Sequence, residues 1–313
     1  MRYPDLSIEE EVLASEGASI VSAPGADEDE IVAAASGATV IIAGSAPRIT
    51  RSVLERLGGC RAIIRSGIGV DSVDLAAAAD LGIWVVNVPD YGTEAVAQHT
   101  LALVLAATRR LGEADRIVKS GGWSFDGLRP LHLPGVMTAG VVGYGRIGRR
   151  VAALLLSVGF GRLLAHDPLS EPDGDGVEPT SLERLLAESD VVCLHAPAAN
   201  HGRPLIGPEE LQCMKPDSVL VSSSRGTLID DEALVAALAT GAPRVAGLDV
   251  FSSEPPDLSI YEPVAERLLL SPHMAWYTEE SQADLRRKSA EETRRILSGQ
   301  VPLNPIVTPK EAQ

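Results

Sequence analysis

The stretch Thr138-Ala-Gly-Val-Val-Gly143-Tyr-Gly145-Arg-Ile-Gly148 decides the fold of this 313-residue chain. An apolar run leads into three glycines spaced GxGxxG, and the helical pattern Arg146–Ser157 follows directly. The first glycine allows a tight turn, the second lets backbone approach a ligand closely, and the third lets the helix pack on the strand. The pattern predicts a strand–turn–helix unit whose amides near Arg146 and Ile147 bind the pyrophosphate of a dinucleotide.

A carboxylate follows the next predicted strand. Asp167 comes directly after the apolar run Arg162–His166, about 20 residues beyond the last glycine, where such folds place an acid on the ribose 2′-hydroxyl. A negative charge at that position repels the 2′-phosphate of NADP. The sequence therefore predicts NAD as the cofactor, with NADH preferred over NADPH.

Strand and helix patterns alternate on both sides of this unit. Before it, the predicted strands and helices are Ala18–Val21, Asp27–Ala35, Ala38–Ala43, Arg51–Leu57, Arg61–Ile64, Leu75–Leu81, Ile83–Val88 and the long helix Thr93–Leu111. After it, they are Ser181–Glu188, Val191–His195, Ser218–Ser222, Asp231–Ala239, Val245–Asp249, Leu268–Ser271 and the helix Glu279–Gly299. This alternation predicts an α/β fold built on a doubly wound parallel (Rossmann) sheet.

The length of the chain favours two domains, because single cores stop growing beyond ~250–300 residues. We expect a Rossmann NAD-binding domain over 93–281. A smaller, flavodoxin-like α/β substrate domain is expected over 1–92 and 282–313, with the C-terminal tail returning to the first lobe. The first lobe opens with a predicted helix, Ser7–Gly17, capped by Ser7 with Glu10 completing a capping box. Met1–Leu6 is short for a preceding strand, so either the natural start lies upstream or the lobe tolerates a truncated strand.

Composition argues against several classes of partner. The formal net charge is −16 and no Lys/Arg cluster offsets it, which disfavours nucleic acid and anionic membranes. No run of ~20 apolar residues could span a bilayer, and no signal-peptide pattern opens the chain. Cys60, Cys193 and Cys213 form no CxxC pair, so free thiols are favoured over metal ligands, no metal site is expected, and a reducing cytoplasm is the expected location.

Three polar residues follow the later strands, where open α/β sheets bind ligands. Arg225 comes after Ser222, Glu254 precedes two prolines, and His273 follows a Ser-Pro pair. Hydride transfer at a carbinol needs a base for the hydroxyl proton and a cation for a neighbouring carboxylate. His and Arg suit those roles, and a carboxylate can orient the imidazole. Each residue taken singly has a structural alternative: a surface cap, a loop charge or a hydrogen-bonded loop histidine.

These residues lie in segments that resemble a known family. The segments are Arg65–Asp71, Asn87–Ala97, Gly143–Gly148, Ser224–Asp230, Ala246–Glu254 and Ser271–Tyr277. In order and spacing they are similar to the signatures of the D-isomer-specific 2-hydroxyacid dehydrogenases, over about Ile64–Ile296. The resemblance looks closest to the branch containing the C-terminal-binding-protein corepressors and their bacterial relatives.

The resemblance implies a role for each residue. Arg225 would bind the carboxylate and carbonyl of the substrate, His273 would be the general acid/base, and Glu254 would orient His273. The cofactor would be lined by Asp249 on the nicotinamide side and by His195, Ala196, Pro197, Ser223, Ser224, Arg225 and His273. Substrate contacts from the first lobe would come from Arg65 and from the amides near Ile68 and Gly69, with Tyr91 and Trp276 shaping the pocket.

The family also implies a hinge between the lobes and a homodimer through the NAD-binding domain. The segment from Thr93 to about Pro134 would form the dimer arm. Some positions depart from the family pattern: Ser222 and Ser223 replace Asn-Thr or Asn-Cys, Gln98 replaces an acid, and His201-Gly-Arg replaces a Thr-containing segment.

The sequence thus favours an NAD-dependent oxidoreductase acting at C2 of a small 2-hydroxy or 2-oxo acid, with D-stereochemistry and reduction as the expected direction in the cell. One alternative is an NAD(H)-sensing, corepressor-like interaction protein. Another is a dehydrogenase for a phosphorylated or phosphonate 2-oxo acid, with Arg65 or Arg129 adding positive charge. The particular acid and the pathway are left open by the sequence.

Overall fold

Contacts within the chain divide it into two α/β units. The computed structural model describes residues 5–23, 25, 27–198 and 203–309. Unit 1 comprises Met1–Gly92 with Thr278–Gln313, and unit 2 comprises Thr93–Tyr277. Each unit has its own sheet. The functional assignment of the two units stays a prediction at this point.

Unit 1 is built on a sheet that, among the described residues, has four strands in the order β1-β2-β3-β11. In chain order its helices and strands are α1 Ser7–Leu13, α2 Glu28–Ala34, β1 Val40–Ala43, α3 Arg51–Arg56, β2 Ala62–Arg65, α4 Leu75–Asp80, β3 Trp84–Asn87, α11 Glu279–Leu297 and β11 Pro305–Val307. β1, β2 and β3 are parallel, whereas β11 pairs antiparallel with β3. The C-terminal tail therefore returns to the first lobe through this last strand.

Both faces of the unit 1 sheet are covered. Ile63 and Val85 belong to one buried cluster, whereas their neighbours Ile64 and Val86 belong to another that includes Ile296 of α11. Successive strand residues point to opposite faces, so continuous Ile/Val runs are stable only with helices on both sides. The apolar runs Ala62–Ile64 of β2 and Trp84–Val86 of β3 follow from this burial.

Unit 2 is built on a sheet whose described strands number seven, all parallel, in the order β10-β9-β8-β7-β4-β5-β6. Its helices and strands are α5 Thr93–Thr108, α6 Leu111–Lys119, β4 Thr138–Val142, α7 Arg146–Ser157, β5 Arg162–His166, β6 Val177–Pro179, α8 Leu182–Glu188, β7 Val191–Leu194, α9 Pro208–Cys213, β8 Val219–Ser222, α10 Asp231–Thr240, β9 Val245–Leu248 and β10 Leu268–Leu270. The predicted doubly wound α/β sheet is confirmed.

The central strands of unit 2 are buried on both faces. In β4, Ala139 and Val141 pack into one core cluster and Val142 packs into the other. Every residue of β7, β8 and β9 is buried. This two-sided core fixes the level at which each strand ends, and therefore the position of the loops that follow.

Two predictions about the start of unit 1 are wrong. Ala18–Val21 forms no strand: Ile20 packs against the cluster of Val12, Leu13 and Ala290, whereas Val21 is 75% exposed. Ser7 is the first residue of α1 and not its cap. Asp5 accepts a hydrogen bond from the Ser7 amide at 2.9 Å, and Leu6 at the cap position provides no side-chain acceptor. Of Met1–Leu6, the residues before Asp5 lie outside the described ranges.

Unit 2 also differs from the sequence prediction in three elements. The predicted helix Thr93–Leu111 ends at Thr108, because Arg110 takes a left-handed conformation (φ +53°) and begins a second helix, α6. β6 was not predicted; it is a short edge strand, where its proline is tolerated. α9 was also not predicted and begins with Pro208, a residue suited to the first turn. Within the described part of the chain, no helix is both long and apolar enough to cross a membrane.

Candidate active site

The glycine-rich turn lies where the strand order of unit 2 reverses. β4 is flanked by β5 on one side and β7 on the other, and such a switch point leaves a crevice at the carboxyl ends of the strands. Gly143 follows β4 at φ +88°, and a Cβ there would lie 2.5 Å from the backbone nitrogen of Ala196. A side chain at Gly148 would collide with the Gly143 carbonyl oxygen. Only glycine allows both approaches.

The residues present fit the pyrophosphate of a dinucleotide. α7 has 12 residues and begins at Arg146, with Gly145 as an N-cap that provides no side-chain hydrogen bond. A Cβ at Gly145 would meet no atom within 4 Å, so the space beside the helix N-terminus is open. The first amides of the helix, including those of Arg146 and Ile147, point toward that open space at the positive end of the helix dipole, which favours phosphate.

Asp167 lies directly after β5 and is held by the same turn. Its Oδ2 accepts a hydrogen bond from the Tyr144 amide at 2.7 Å, and its Oδ1 accepts one from the Leu169 amide at 2.8 Å. Partial burial alone would raise the pKa of Asp167, but the backbone amides that donate to it outweigh burial, and the pKa lies below its usual value. The carboxylate is therefore charged and can accept hydrogen bonds from ribose hydroxyls.

The loop after β7 packs against the glycine turn. His195 and Ala196 lie beside Gly143, as the close approach described above requires. The two ring nitrogens of His195 are buried and have no hydrogen-bond partner among the described residues. Burial lowers the pKa of His195 to about 4, so the ring is neutral near neutral pH. Pro197 follows in the same loop, whereas His201 and Gly202, part of the segment that departs from the family pattern, lie outside the described residues.

Three neighbouring strands of unit 2 end at the same level. Ser222 at the end of β8 is in register with Leu248 of β9, which is in register with Leu270 of β10. Arg225 follows β8, Asp249 and Glu254 follow β9, and His273 follows β10. A Cβ on Gly226 would collide with the backbone of Phe251, so the loops after β8 and β9 are in direct contact.

His273 and Glu254 form a hydrogen-bonded pair. His273 Nδ1 lies 2.6 Å from Glu254 Oε2, and Glu254 Oε1 accepts the amide of Phe251 at 3.1 Å. The side chains are 41% and 38% exposed, so the pair can be reached from solvent. With Nδ1 bonded to the carboxylate, the Nε2 atom of His273 is the one that can exchange a proton with a ligand.

The other predicted residues of unit 2 lie around these loops. Half-buried Arg225 donates from Nη1 to the Ser224 carbonyl at 2.7 Å. The hydroxyl of Ser223 is buried and bonds Thr100 of α5 at 2.7 Å. Trp276 packs edge-on against Tyr277, with ring centroids 5.7 Å apart.

In unit 1, the predicted substrate residues lie beyond the ends of β2 and β3. Arg65 is the last residue of β2, and its guanidinium donates to the Ser66 carbonyl. The loop with Ile68 and Gly69 follows, and the Ile68 carbonyl accepts from Asn87 at 2.7 Å. Half-buried Tyr91 follows β3. The fold of unit 1 thus places all four at one edge of its own sheet.

Asp249 has a structural role that its sequence position did not reveal. It is fully buried, and its carboxylate accepts from the Ser271 hydroxyl at 2.5 Å and from the amides of Met274 (3.0 Å) and Ala275 (2.9 Å). The predicted contact with the nicotinamide side stays a prediction. In the sequence, the only local indication of this network is Ser271, two residues before His273. Its partner Asp249 follows a different strand, so the sequence alone does not pair them.

Comparisons with known proteins relate this chain to a group of dehydrogenases and reductases. A sequence model of the NAD-binding domain of D-isomer-specific 2-hydroxyacid dehydrogenases matches residues 101–275. D-3-phosphoglycerate dehydrogenase of Methanocaldococcus jannaschii is 34% identical over 296 residues, covering 93% of this chain and 56% of the relative. The chain thus spans little more than half the length of that relative. Glyoxylate reductase of Aeropyrum pernix is 37% identical over 266 residues, covering 82% of this chain and 79% of the relative.

A solved structure shows the same fold over nearly the whole chain. D-lactate dehydrogenase from Aquifex aeolicus, complexed with NAD and lactic acid, superposes with a TM-score of 0.85 at 27% identity, covering 99% of this chain and 98% of that one. The match of the NAD-binding domain extends over more than half of the chain, and the sequence relatives match both units. This chain therefore belongs to the D-isomer-specific 2-hydroxyacid dehydrogenase family.

Proposed function

We propose that the protein is an NAD-dependent oxidoreductase acting at C2 of a small 2-hydroxy or 2-oxo acid, with D-stereochemistry. The observation that carries the proposal is the His273–Glu254 pair, 2.6 Å apart, in the same row of strand ends as a turn shaped for a dinucleotide. An acid/base beside a nicotinamide site is what reversible oxidation of a carbinol requires.

When bound, the nicotinamide supplies or accepts the hydride. In the reductive direction, His273 donates a proton from Nε2 to the oxygen of the substrate carbonyl. Glu254 holds the ring by Nδ1 and stabilises the imidazolium. Arg225 binds the substrate carboxylate, because its planar guanidinium can donate two parallel hydrogen bonds. From unit 1, we assign Arg65 and the amides of Ile68 and Gly69 to substrate binding, and Tyr91 and Trp276 to the side-chain pocket.

The preference for NADH over NADPH is assigned to Asp167. Its carboxylate is held in the charged form by backbone amides. A charged oxygen there accepts hydrogen bonds from the ribose hydroxyls of NAD and repels the 2′-phosphate of NADP. The assigned NAD-lining loops are those after β7, β8 and β9, including His195–Pro197, Ser223–Arg225 and Asp249.

A homodimer through unit 2 is part of the proposal. The segment from α6 to β4 exposes large apolar side chains, among them Trp123 at 89%, Phe125 at 62%, and Leu133 and Val136. Exposed apolar residues concentrated in one segment mark an interaction surface. Light scattering after size-exclusion chromatography should give a dimer, and Trp123→Ser with Phe125→Ser should give monomer.

The substrate class is tested with a panel of 2-oxo acids. Glyoxylate, hydroxypyruvate, phenylpyruvate, 4-methylthio-2-oxobutyrate and phosphonopyruvate span small, polar, aromatic, thioether and phosphonate side groups. NADH oxidation at 340 nm with at least one of them is expected, and phosphonopyruvate reports on the alternative of a phosphorylated or phosphonate substrate. No turnover with any 2-oxo acid, together with NAD-dependent dimerisation, would replace the proposal with a nucleotide-sensing interaction protein.

The cellular location proposed is a reducing compartment such as the cytoplasm. Cys60, Cys193 and Cys213 are free thiols. Burial raises the pKa of Cys60 to about 11 and that of Cys193 to about 12, so both are poor nucleophiles. Measured thiol content of protein isolated from the native source should equal three per chain.

A further inference from the structure

The turn that carries His273 is held by one buried residue. The carboxylate of Asp249 accepts the amides of Met274 and Ala275, and its carbonyl accepts the amide of His273 at 2.8 Å. These bonds keep His273 at φ +50°. That left-handed conformation is uncommon for a residue with a Cβ, and its cost must be offset by the surroundings. The direction in which the imidazole projects therefore depends on how well Asp249 is itself held.

Ser271 and His99 extend this network to helix α5. The Ser271 hydroxyl donates to Asp249 Oδ1 at 2.5 Å, and His99 Nε2 lies 2.9 Å from the same hydroxyl oxygen. A hydroxyl has one proton, so an oxygen that donates to Asp249 can only accept from His99. His99 must then present Nε2–H. Hydrogen bonds run from α5 through Ser271 to the carboxylate that holds the turn, and His99 Nε2 itself lies 3.6 Å from Asp249 Oδ1.

The next residue of α5 contacts the loop that carries Arg225. Thr100 is fully buried, and its hydroxyl lies 2.7 Å from that of Ser223. Consecutive residues of one 16-residue helix thus hold the loop after β8 and the turn after β10. A helix is more rigid than the loops it supports, so α5 can fix the spacing between the two loops.

We propose that His99 is a positioning residue for His273, acting through Ser271 and Asp249. This inference rests on the function proposed above. His99 touches no reacting atom in this scheme, and the cofactor-binding turn after β4 does not depend on it. Loss of His99 should therefore slow the proton-transfer step more than it weakens NADH binding.

The kinetic test compares two substitutions of His99. His99→Leu removes the donor and should lower kcat with the best 2-oxo acid about tenfold, the effect of one lost hydrogen bond, with a smaller change in KM for NADH. His99→Gln, whose side-chain amide can donate from a similar position, should stay within about threefold of wild type. A wild-type kcat for His99→Leu would overturn the inference. So would a failure of His99→Gln to restore activity while it remains folded.

A double-substitution cycle tests the route through Ser271. Ser271→Ala alone should resemble His99→Leu, and the double variant should be no slower than the slower single one, because both break the same line of bonds. Multiplied losses would mean that the two residues act independently, against the inference. Thr108→Val is the matched control: it removes a hydroxyl of α5 that, among the described residues, bonds only its own helix, at the carbonyls of Val104 and Leu105, and kcat should not change.

A measurement independent of turnover separates this inference from the proposed function. His273→Asn identifies the His273 ring signal in a carbon–proton NMR spectrum of 13C-histidine-labelled protein. That signal should shift in His99→Leu and keep its position in Thr108→Val. If the His273 signal does not shift in His99→Leu, the positioning role is refuted, even if the enzyme is active. If the wild-type protein is inactive with every 2-oxo acid, the proposed function is refuted, whatever the NMR signal shows.

Discussion

The buried ring of His195 makes a quantitative prediction about the loop after β7. Burial without a hydrogen-bond partner among the described residues lowers the pKa of His195 from 6.5 to about 4. The unfolded chain therefore takes up a proton below about pH 6.5, whereas the folded chain does so only near pH 4. Above about pH 6.5 the ring is neutral in both the folded and the unfolded chain, so it does not lower the free energy of unfolding. As the pH falls toward about 4, the unfolded chain is protonated first, and the free energy of unfolding decreases. At about pH 5, linkage gives a loss of about 2 kcal/mol in the free energy of unfolding.

His195→Leu removes the titrating group and should abolish that part of the pH dependence. Urea denaturation of ligand-free protein, followed by circular dichroism near neutrality and at about pH 5, measures the free energy of unfolding. Between those conditions the variant should lose about 2 kcal/mol less than wild type. His132→Leu, which replaces an exposed histidine, should lose as much as wild type. Equal losses in His195→Leu and wild type would refute the burial argument.

Three further substitutions test the proposed site. His273→Ala should lower turnover by about 10²–10⁴-fold while NADH still binds in a fluorescence titration; unchanged turnover would remove His273 from the acid/base role. Asp167→Ala should lower kcat/KM for NADH relative to NADPH by about tenfold or more, because hydrogen bonds to a charged group are lost; an unchanged ratio would show that specificity lies elsewhere. Gly148→Ala forces a methyl group against the Gly143 carbonyl, and should cost about 1–3 kcal/mol of unfolding free energy in a thermal or urea melt and weaken NADH binding; full stability would contradict the close packing.

Local patterns predicted the elements whose ends depend on local chemistry. The helix predicted over Arg146–Ser157 begins and ends at those residues in the structure, because a glycine turn precedes it. Strands such as Thr138–Val142 and Arg162–His166 also have the predicted bounds, since the part of each strand that is buried on both faces is an uninterrupted apolar run. In these cases neighbouring residues alone determine where the element starts and stops.

Elements set by distant contacts were not predictable in this way. The break after α5 depends on the conformation of Arg110. Arg110 forms an ion pair with Glu113, and Glu113 forms a second ion pair with Arg244. β6 exists because β5 offers an open edge, and nothing in its own composition predicts a strand. The contact between His99 and Ser271 joins residues far apart in sequence, and neither position shows a pattern that would pair them.

The same difference explains why the residues of the candidate site could be recognised in the sequence, whereas the residues that position them could not. In a parallel sheet the carboxyl ends of neighbouring strands lie at one level. Residues that follow their own strands by a few positions therefore lie close together. Arg225, Glu254 and His273 each satisfy that local condition, and their segments could be recognised singly. The orientation of His273 depends instead on a buried carboxylate and a helix from other parts of unit 2. Substitutions of His99 should therefore reduce catalysis in proportion to the lost alignment of His273, even though His99 lies outside every segment that identified the site.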